Sequence, residues 1–200
     1  GIETLGGAVS KLLLRNTTIP CSASEEFTTS VDSQTAVTVH VLQGERELVE
    51  DCRSLARFKV KNIPPMPAGL PRLNVTFTVD ENGVLSVAAK EMRSDRSASV
   101  EVYPSIGITR EKVDQMVEES IDNALEDFDV RMLVELRNKA QRMLFATEKV
   151  WDRASGFFNA EDLSRLRGLM TELKQALDRH EKDQGVLAPL VDSLGDMTRP

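Results

Sequence analysis

EFTTSVDSQTAVTVHVLQGE, residues Glu26–Glu45, holds a polar break followed by a run with strand period. Val37, Val39 and Val41 take alternate positions between Thr35 and Gln43, with Ala36, Thr38, His40 and Leu42 between them. Side chains along a strand alternate faces, so the three valines share one side. Asp32, Ser33 and Gln34 form a turn-prone break, and Phe27 lies in another β-prone run before it. The pair therefore reads as a hairpin. On this pattern the valines are core, and the loop either connects or binds, as loops on a rigid sheet often do.

Around this stretch the chain has 200 residues, enough for one domain or two small ones, and 40% hydrophobic residues, enough for a core. Only 4% are aromatic, which disfavours binding by stacked rings. The net charge is −7, with Lys and Arg scattered. That balance argues against nucleic acid or an anionic membrane as partner. No apolar run approaches the length of a membrane span and no signal peptide opens the chain. The expectation is a soluble protein of the cytoplasm. Cys21 and Cys52 lack metal-ligand spacing and read as ordinary reduced thiols.

Up to Tyr103 the pattern is strand-like and beyond Thr109 it is helical, with the change at Pro104–Gly107. Such segregation indicates an antiparallel β unit, residues 1–106, followed by an α unit, residues 107–200. Gly1–Leu5 ends at Gly6-Gly7, Val9–Leu14 reads as the next strand, and Asn16–Pro20 as a turn. Glu45–Val60 fits either a short helix or an irregular strand. The prolines of Ile63–Pro71 exclude a helix or a central strand, leaving an ordered loop or an edge. Asn74–Val79 and Val84–Ala89 alternate around Asp80-Glu81-Asn82-Gly83, a strong hairpin signal, and Ser97–Tyr103 alternates again. Seven or eight short strands suit a compact β-sandwich.

Thr109 is placed to cap a helix whose apolar stripe runs through Val113, Met116, Val117, Ile121, Ala124, Leu125 and Phe128. It continues through Met132, Leu133, Leu136, Ala140, Met143, Leu144 and Val150. No Pro or Gly interrupts it before Gly156, so a stretch this long must bend, pack on other helices, or both. Asn159 is placed to cap a second helix, to about Lys182, with Leu163, Leu166, Leu169, Leu173, Ala176 and Leu177 on one side. A third segment, Leu187–Leu194, completes an antiparallel bundle. Gly1 opens directly into strand-like sequence and Thr198-Arg199-Pro200 carries no cap, which reads as a segment missing before and a cut after.

Groups for catalysis are thin. His40 and His180 have no Ser, Cys or carboxylate at a recognisable spacing and read as structural. Nucleotide and zinc motifs do not occur. Glu118-Glu119 and Glu126-Asp127 are helix neighbours that point in different directions, which fits a solvated charged face. What remains is binding of an extended peptide against the sheet.

The runs GIETLGG (1–7), RNTTIP (15–20), FTT (27–29), DSQTAVTVHVLQGERE (32–47) and VTFTVDENGVLSVAAKE (75–91) closely resemble the substrate-binding domain of the seventy-kilodalton heat-shock chaperones, DnaK and its relatives. ELVEDCRSLARF (47–58) and Pro67–Gly69 are more similar to the HscA branch, specialised for iron–sulfur cluster assembly. The resemblance is nearly continuous to Tyr103, collinear to Thr147, and rests on helical character beyond. It implies a β-sandwich peptide-binding domain with a helical lid and no catalytic residue in this stretch. The central pocket would be lined by Ile2, Phe27, Val37, Val39 and Leu73. Thr4, Thr28, Gln34, Ala36 and Thr38 would lie beside the peptide backbone, and Leu5 and Ser30 would arch over it. Ser30 departs from the family's more apolar residue and implies a more open arch. The lid contacts depart too: Ala68 stands for an Arg, Gln141 and Phe145 for an acid and a His, and Asp32 is left without its partner. A lid held by apolar contact more than by ion pairs is the consequence.

The resemblance also implies partners. The client is an extended apolar peptide, with the iron–sulfur scaffold protein as the specialised case and broad unfolded-protein clients as the alternative. ATP would belong to the parent protein's ATPase domain, as would stimulation by a J-domain co-chaperone, and no cofactor is implied for this stretch. An unfilled groove would also accept a neighbouring chain's tail, giving self-association.

Overall fold

A computed structural model describes residues 1–102, 109–154, 158–179 and 183–198, without the side chains of 152–154. The change expected at Pro104–Gly107, and His180, lie outside the described residues. Strands come first and helices after, as expected: β1 (Ile2–Glu3), β2 (Val9–Ser10), β3 (Cys21–Phe27), β4 (Ala36–Gln43), β5 (Arg53–Lys61), β6 (Leu73–Val79), β7 (Leu85–Glu91) and β8 (Ser97–Val102), then α1 (Arg110–Asp122), α2 (Ala124–Ala154), α3 (Ala160–Asp178) and α4 (Gln184–Thr198). Two compact units result, Gly1–Asp127 and Phe128–Pro200.

The strands form two four-stranded antiparallel sheets, ordered β2-β1-β4-β5 and β3-β6-β7-β8. This overturns the hairpin expected in the opening stretch. β3 pairs along its whole length with β6, from Cys21 opposite Val79 to Phe27 opposite Leu73, whereas β4 pairs with β1 and β5. The polar segment 28–35 therefore crosses between sheets. Alternation fixes which way side chains point but not which strand lies alongside.

The sandwich core follows from the alternation itself. Val41, Val60, Val87 and Ala89 are fully buried, with Phe77, Ile63, Leu73 and Val75 beside them. Each such Val, Leu or Phe removed from water contributes roughly 1.5–3 kcal/mol. In β4 a bulge between Val41 and Leu42 shifts the register, so that Leu42 is buried as well. The turn after β6 closes as the sequence indicates: Asp80 Oδ1 accepts from the N–H groups of Asn82 and Val84, and Gly83 sits at φ +78°. Glu45–Val60 resolves into a short 3₁₀ turn, Val49–Asp51, followed by β5. β2 is shorter than expected, and Leu14 beyond it is 69% exposed.

At the end of β7, Glu91 is a buried carboxylate within the sandwich. It accepts hydrogen bonds from the Arg93 and Ser94 N–H groups and from the Ser94 hydroxyl. Burial pushes its carboxyl up, and these bonds outweigh burial and leave it below the usual range. Glu91→Ala removes the acceptor of three donors, so chemical denaturation should show a loss of about 2 kcal/mol, within the 1–3 kcal/mol typical of such deletions.

Thr109 caps α1, its side chain accepting from the Lys112 N–H, and Asn159 caps α3 by accepting from the Asp162 N–H. The long helical stretch breaks at Asn123, between α1 and α2. The stripe does not carry through this break. Ile121, Leu125 and Phe128 are 69%, 84% and 59% exposed, and the buried residue of that turn is Asp127, at 4%.

Asp127 is the first unit's main polar anchor. Its carboxylate accepts from Arg46 Nε at 2.6 Å and Nη2 at 2.7 Å, and Asp51 stands 3.4 Å from the same guanidinium. The pair fastens the first turn of α2 to the segment that follows β4. This corrects the reading of Glu126-Asp127 as a solvated face: the two residues do point in different directions, but one points inward to a cation.

In the second unit Ala140 and Leu144 of α2 pack with Leu166, Met170, Leu173, Ala176 and Leu177 of α3 and Leu187, Val191 and Leu194 of α4. Met170 takes a buried place the sequence pattern did not assign, while Val150 is half-exposed. α4 runs through Pro189, beyond its first turn, where the missing N–H removes one backbone hydrogen bond of the helix. Among the described residues no helix is long and apolar enough to cross a membrane.

Candidate functional site

β1 is only two residues long and meets β4 at a single pair, Ile2 opposite Val41. The chain then turns away through Thr4 and the Gly6-Gly7 turn, so among the described residues the β1 side of Ala36–Val39 has no strand paired to it. A concavity of about 610 Å³ opens here. It is lined by Ile2, Thr4 and Leu5, by Phe27, Thr28, Ser30 and Gln34, by Ala36, Val37, Thr38 and Val39, and by Leu73. The structure thus brings all twelve sequence-predicted site residues to one hollow in the first unit.

Its floor is apolar. Ile2, Val39 and Leu73 are at most 4% exposed, and Phe27 and Val37 are half-buried above them. Its rim is polar, with Thr28, Ser30 and Thr38 exposed, apart from Leu5, which is 48% exposed. Gln34 donates from Nε2 to the Ala36 carbonyl, while its Oε1 is buried without a partner. Glu3, Glu26, His40, Arg57 and Val75 also line the hollow and were not anticipated.

The crossing segment 28–35 is held in place by the proline-rich loop. Ser33 N–H donates to the Met66 carbonyl at 2.8 Å, Gly69 N–H to Thr29 at 3.0 Å, and Ile63 N–H to Thr35 at 3.0 Å. Asp32 Oδ1 accepts from the Ala68 N–H at 2.7 Å. The Ala at position 68 led to the expectation that Asp32 lacks a partner, and this bond corrects it. The backbone supplies the donor, and that bond does not depend on the side chain there. The same bonds explain how a loop too rich in proline for sheet or helix stays ordered.

His40 is structural, as the sequence analysis reads it, with two partners that local spacing does not show. Its Nδ1 donates to Glu3 Oε2 at 2.7 Å, and its Nε2 shares a hydrogen bond of 2.8 Å with the Ser54 hydroxyl. The two partners lie 37 and 14 residues away, on β1 and β5. The order carboxylate, imidazole, hydroxyl is that of a hydrolase triad. Here the ring is 4% exposed and braces three adjacent strands, holding β1 where Thr4 and Leu5 wall the hollow. His40→Ala should cost about 1–3 kcal/mol in a denaturant titration, the loss of two hydrogen bonds at about 0.5–1.5 kcal/mol each.

A second cavity, of about 270 Å³, lies where Val113, Met116 and Val117 of α1 meet Leu13, Leu42, Leu55 and Phe77. None of the predicted site residues lines it. Among the described residues no three His, Cys, Asp or Glu side chains stand together as a metal ion would require, and both cysteines are free.

Comparison with known proteins bears on the whole chain. The family model described as Hsp70 protein matches residues 1–191. Relatives described as chaperone protein HscA homolog include one from Acidovorax sp. (strain JS42), 47% identical over 178 residues, and one from Variovorax paradoxus (strain S110), 48% identical over 176 residues. A third, from Verminephrobacter eiseniae (strain EF01-2), is 41% identical over 199 residues. These alignments cover 89%, 88% and 100% of this chain, but 29%, 28% and 32% of the relatives. The chain thus spans less than a third of their length. With one family's model running through residue 191 and HscA chaperones aligned along most of its length, this HscA-like chain belongs to the Hsp70 family.

Proposed function

We propose that this chain is the part of an Hsp70-type chaperone that holds a short, extended, apolar peptide segment of a client in the hollow beside β4. The observation that carries the reading is the convergence of an apolar floor, a polar rim and an unpaired strand side in one concavity. An extended peptide needs all three: a pocket for a side chain, donors and acceptors for its backbone, and room to lie alongside a strand. The buried, unpartnered Gln34 Oε1 is an acceptor that a peptide N–H would satisfy.

Magnitudes set the expected strength. One client leucine buried on the floor gives roughly 1.5–3 kcal/mol. Each main-chain hydrogen bond adds about 0.5–1.5 kcal/mol, and ordering the peptide subtracts several. The outcome is binding near the micromolar range, about −8 kcal/mol. ATP use, through the remainder of the parent protein, and the J-domain co-chaperone belong to the same proposal, as does the iron–sulfur scaffold protein as client. A peptide array tests it. A few Leu-Pro-Pro-type hits support the specialised client, many apolar hits support broad clients in the manner of DnaK, and no hits overturn peptide holding.

A further inference from the structure

An asparagine amide is lost without an enzyme where the next residue's backbone nitrogen can reach it, and a following Cβ hinders that approach. Of the seven asparagines in the chain, only Asn82 is followed by glycine. Asn82 is exposed in the turn between β6 and β7. Gly83, at φ +78°, has nothing packed against the position a Cβ would take, which leaves room beside its nitrogen. Asn74, by contrast, lies within β6 with its Oδ1 buried.

Both reacting groups are engaged by one residue. The Asp80 carbonyl accepts from the Gly83 N–H at 3.1 Å, so the nitrogen that must attack is a donor in a closed turn. The Asp80 carboxylate accepts from the Asn82 side-chain amide at 3.5 Å, and its Oδ1 accepts from the Asn82 and Val84 N–H groups at 2.9 and 2.8 Å. The turn must open before the nitrogen and the amide can meet.

We infer that Asn82 is a site of spontaneous modification to aspartate and isoaspartate, and that Asp80 is the positioning residue that sets its rate by keeping the turn closed. The Gly83 nitrogen gives its proton to water or hydroxide and attacks Asn82 Cγ. The new N–C bond closes a cyclic imide, the Cγ–Nδ2 bond breaks, and the side-chain nitrogen takes up a proton and leaves as ammonia. Water then opens the ring. Addition at Cγ gives aspartate, and addition at the Asn82 backbone carbonyl gives isoaspartate, in which the chain runs through the side chain. Either product places a new carboxylate beside Asp80 and Glu81. Isoaspartate also lengthens a turn closed by bonds from Gly83 N–H to the Asp80 carbonyl and from Asp80 N–H to the Val84 carbonyl. The hollow is lined at the opposite end of β6, by Leu73 and Val75, so the change falls outside it.

The test incubates the intact chain, its Asp80→Ala and Asp80→Asn variants, and a free peptide of residues 76–88 in heavy-oxygen water at mildly alkaline pH. Peptide mapping by mass spectrometry follows each asparagine. In wild type, Asn82 should convert ahead of every other asparagine, with one solvent oxygen in both products. Asp80→Ala should convert about tenfold faster at Asn82, the shift in turn opening expected from losing two hydrogen bonds. Its other asparagines should stay as slow as in wild type, which shows that the variant is folded. Asp80→Asn keeps an acceptor oxygen and should stay within about threefold of wild type. The free peptide has no closed turn and should be at least as fast as Asp80→Ala, a comparison that stands even if that variant does not fold. Another asparagine converting first in wild type, or no conversion at Asn82 while the peptide converts, would overturn the site. An Asn82 rate in folded Asp80→Ala no higher than in wild type, or a peptide no faster than wild type, would overturn the role of Asp80.

Discussion

Asp127→Ala is expected to destabilise the first unit by about 3 kcal/mol, the low end of what removing one partner from a buried ion pair costs. Two observations set that size. The Asp127 side chain is only 6% exposed and that of Arg46 17%, so the variant leaves a largely buried guanidinium with Asp51 at 3.4 Å as its remaining carboxylate. The bond is also bidentate, the geometry in which Arg and a carboxylate fit best. The effect should appear in a urea titration and as faster hydrogen exchange of the α1 amides. A loss below about 0.5 kcal/mol, the size of a surface substitution, would contradict the anchor. Substituting both partners with apolar residues should cost less than the sum of the single changes.

The same pair sets a pH dependence. The hydrogen bonds from Arg46 hold the Asp127 carboxyl below the ordinary value of 3.8, against the opposing push of burial. A carboxyl whose folded value is depressed contributes its stability fully above the unfolded value and loses it as pH falls through the folded one. Wild type should therefore exceed Asp127→Ala by a constant margin at neutral pH, and the two should converge below about pH 3.8. The Arg46 guanidinium, pushed up by the same bonds, stays charged throughout.

Val37→Phe is expected to weaken binding of a leucine-centred peptide by about ten- to a hundredfold, the loss of one buried leucine at roughly 1.5–3 kcal/mol. Val37 is half-buried in β4 opposite Val60, at the upper side of the apolar floor. A phenyl ring there extends into the space that a client side chain would take, and it does so without disturbing the fully buried Val41. Unchanged affinity in a fluorescence-anisotropy titration would remove Val37 from the site.

The order of strands and helices was legible because period two and period 3.6 are local signals. Strand partners were not, and the opening stretch shows why. Asp32-Ser33-Gln34 has the residue types of a hairpin turn, yet β3 finds its partner at Leu73–Val79, far along the chain. The polar braces were hidden for the same reason: Arg46 and Asp127 are 81 residues apart, and His40 reaches Glu3 across 37. A pattern read in windows sees a lone histidine and a pair of surface acids.

The hollow itself came through matched motifs and not through spacing. Nothing in the alternation of Val37, Val39 and Val41 separates the two that line the concavity from the one that is buried outright. The separation follows from β1 being two residues long, which covers β4 at Val41 and leaves it uncovered toward Ala36.

Methyl NMR during titration with a neutral leucine-centred peptide tests the central claim most directly. The predicted result is large, saturable shifts of the Ile2, Val37, Val39 and Leu73 methyls, with those of Val60 and Val87, deep in the sandwich, changing little. Shifts centred instead on Val113 and Val117 beside the second cavity, or no saturable shift at all, would contradict a peptide groove beside β4.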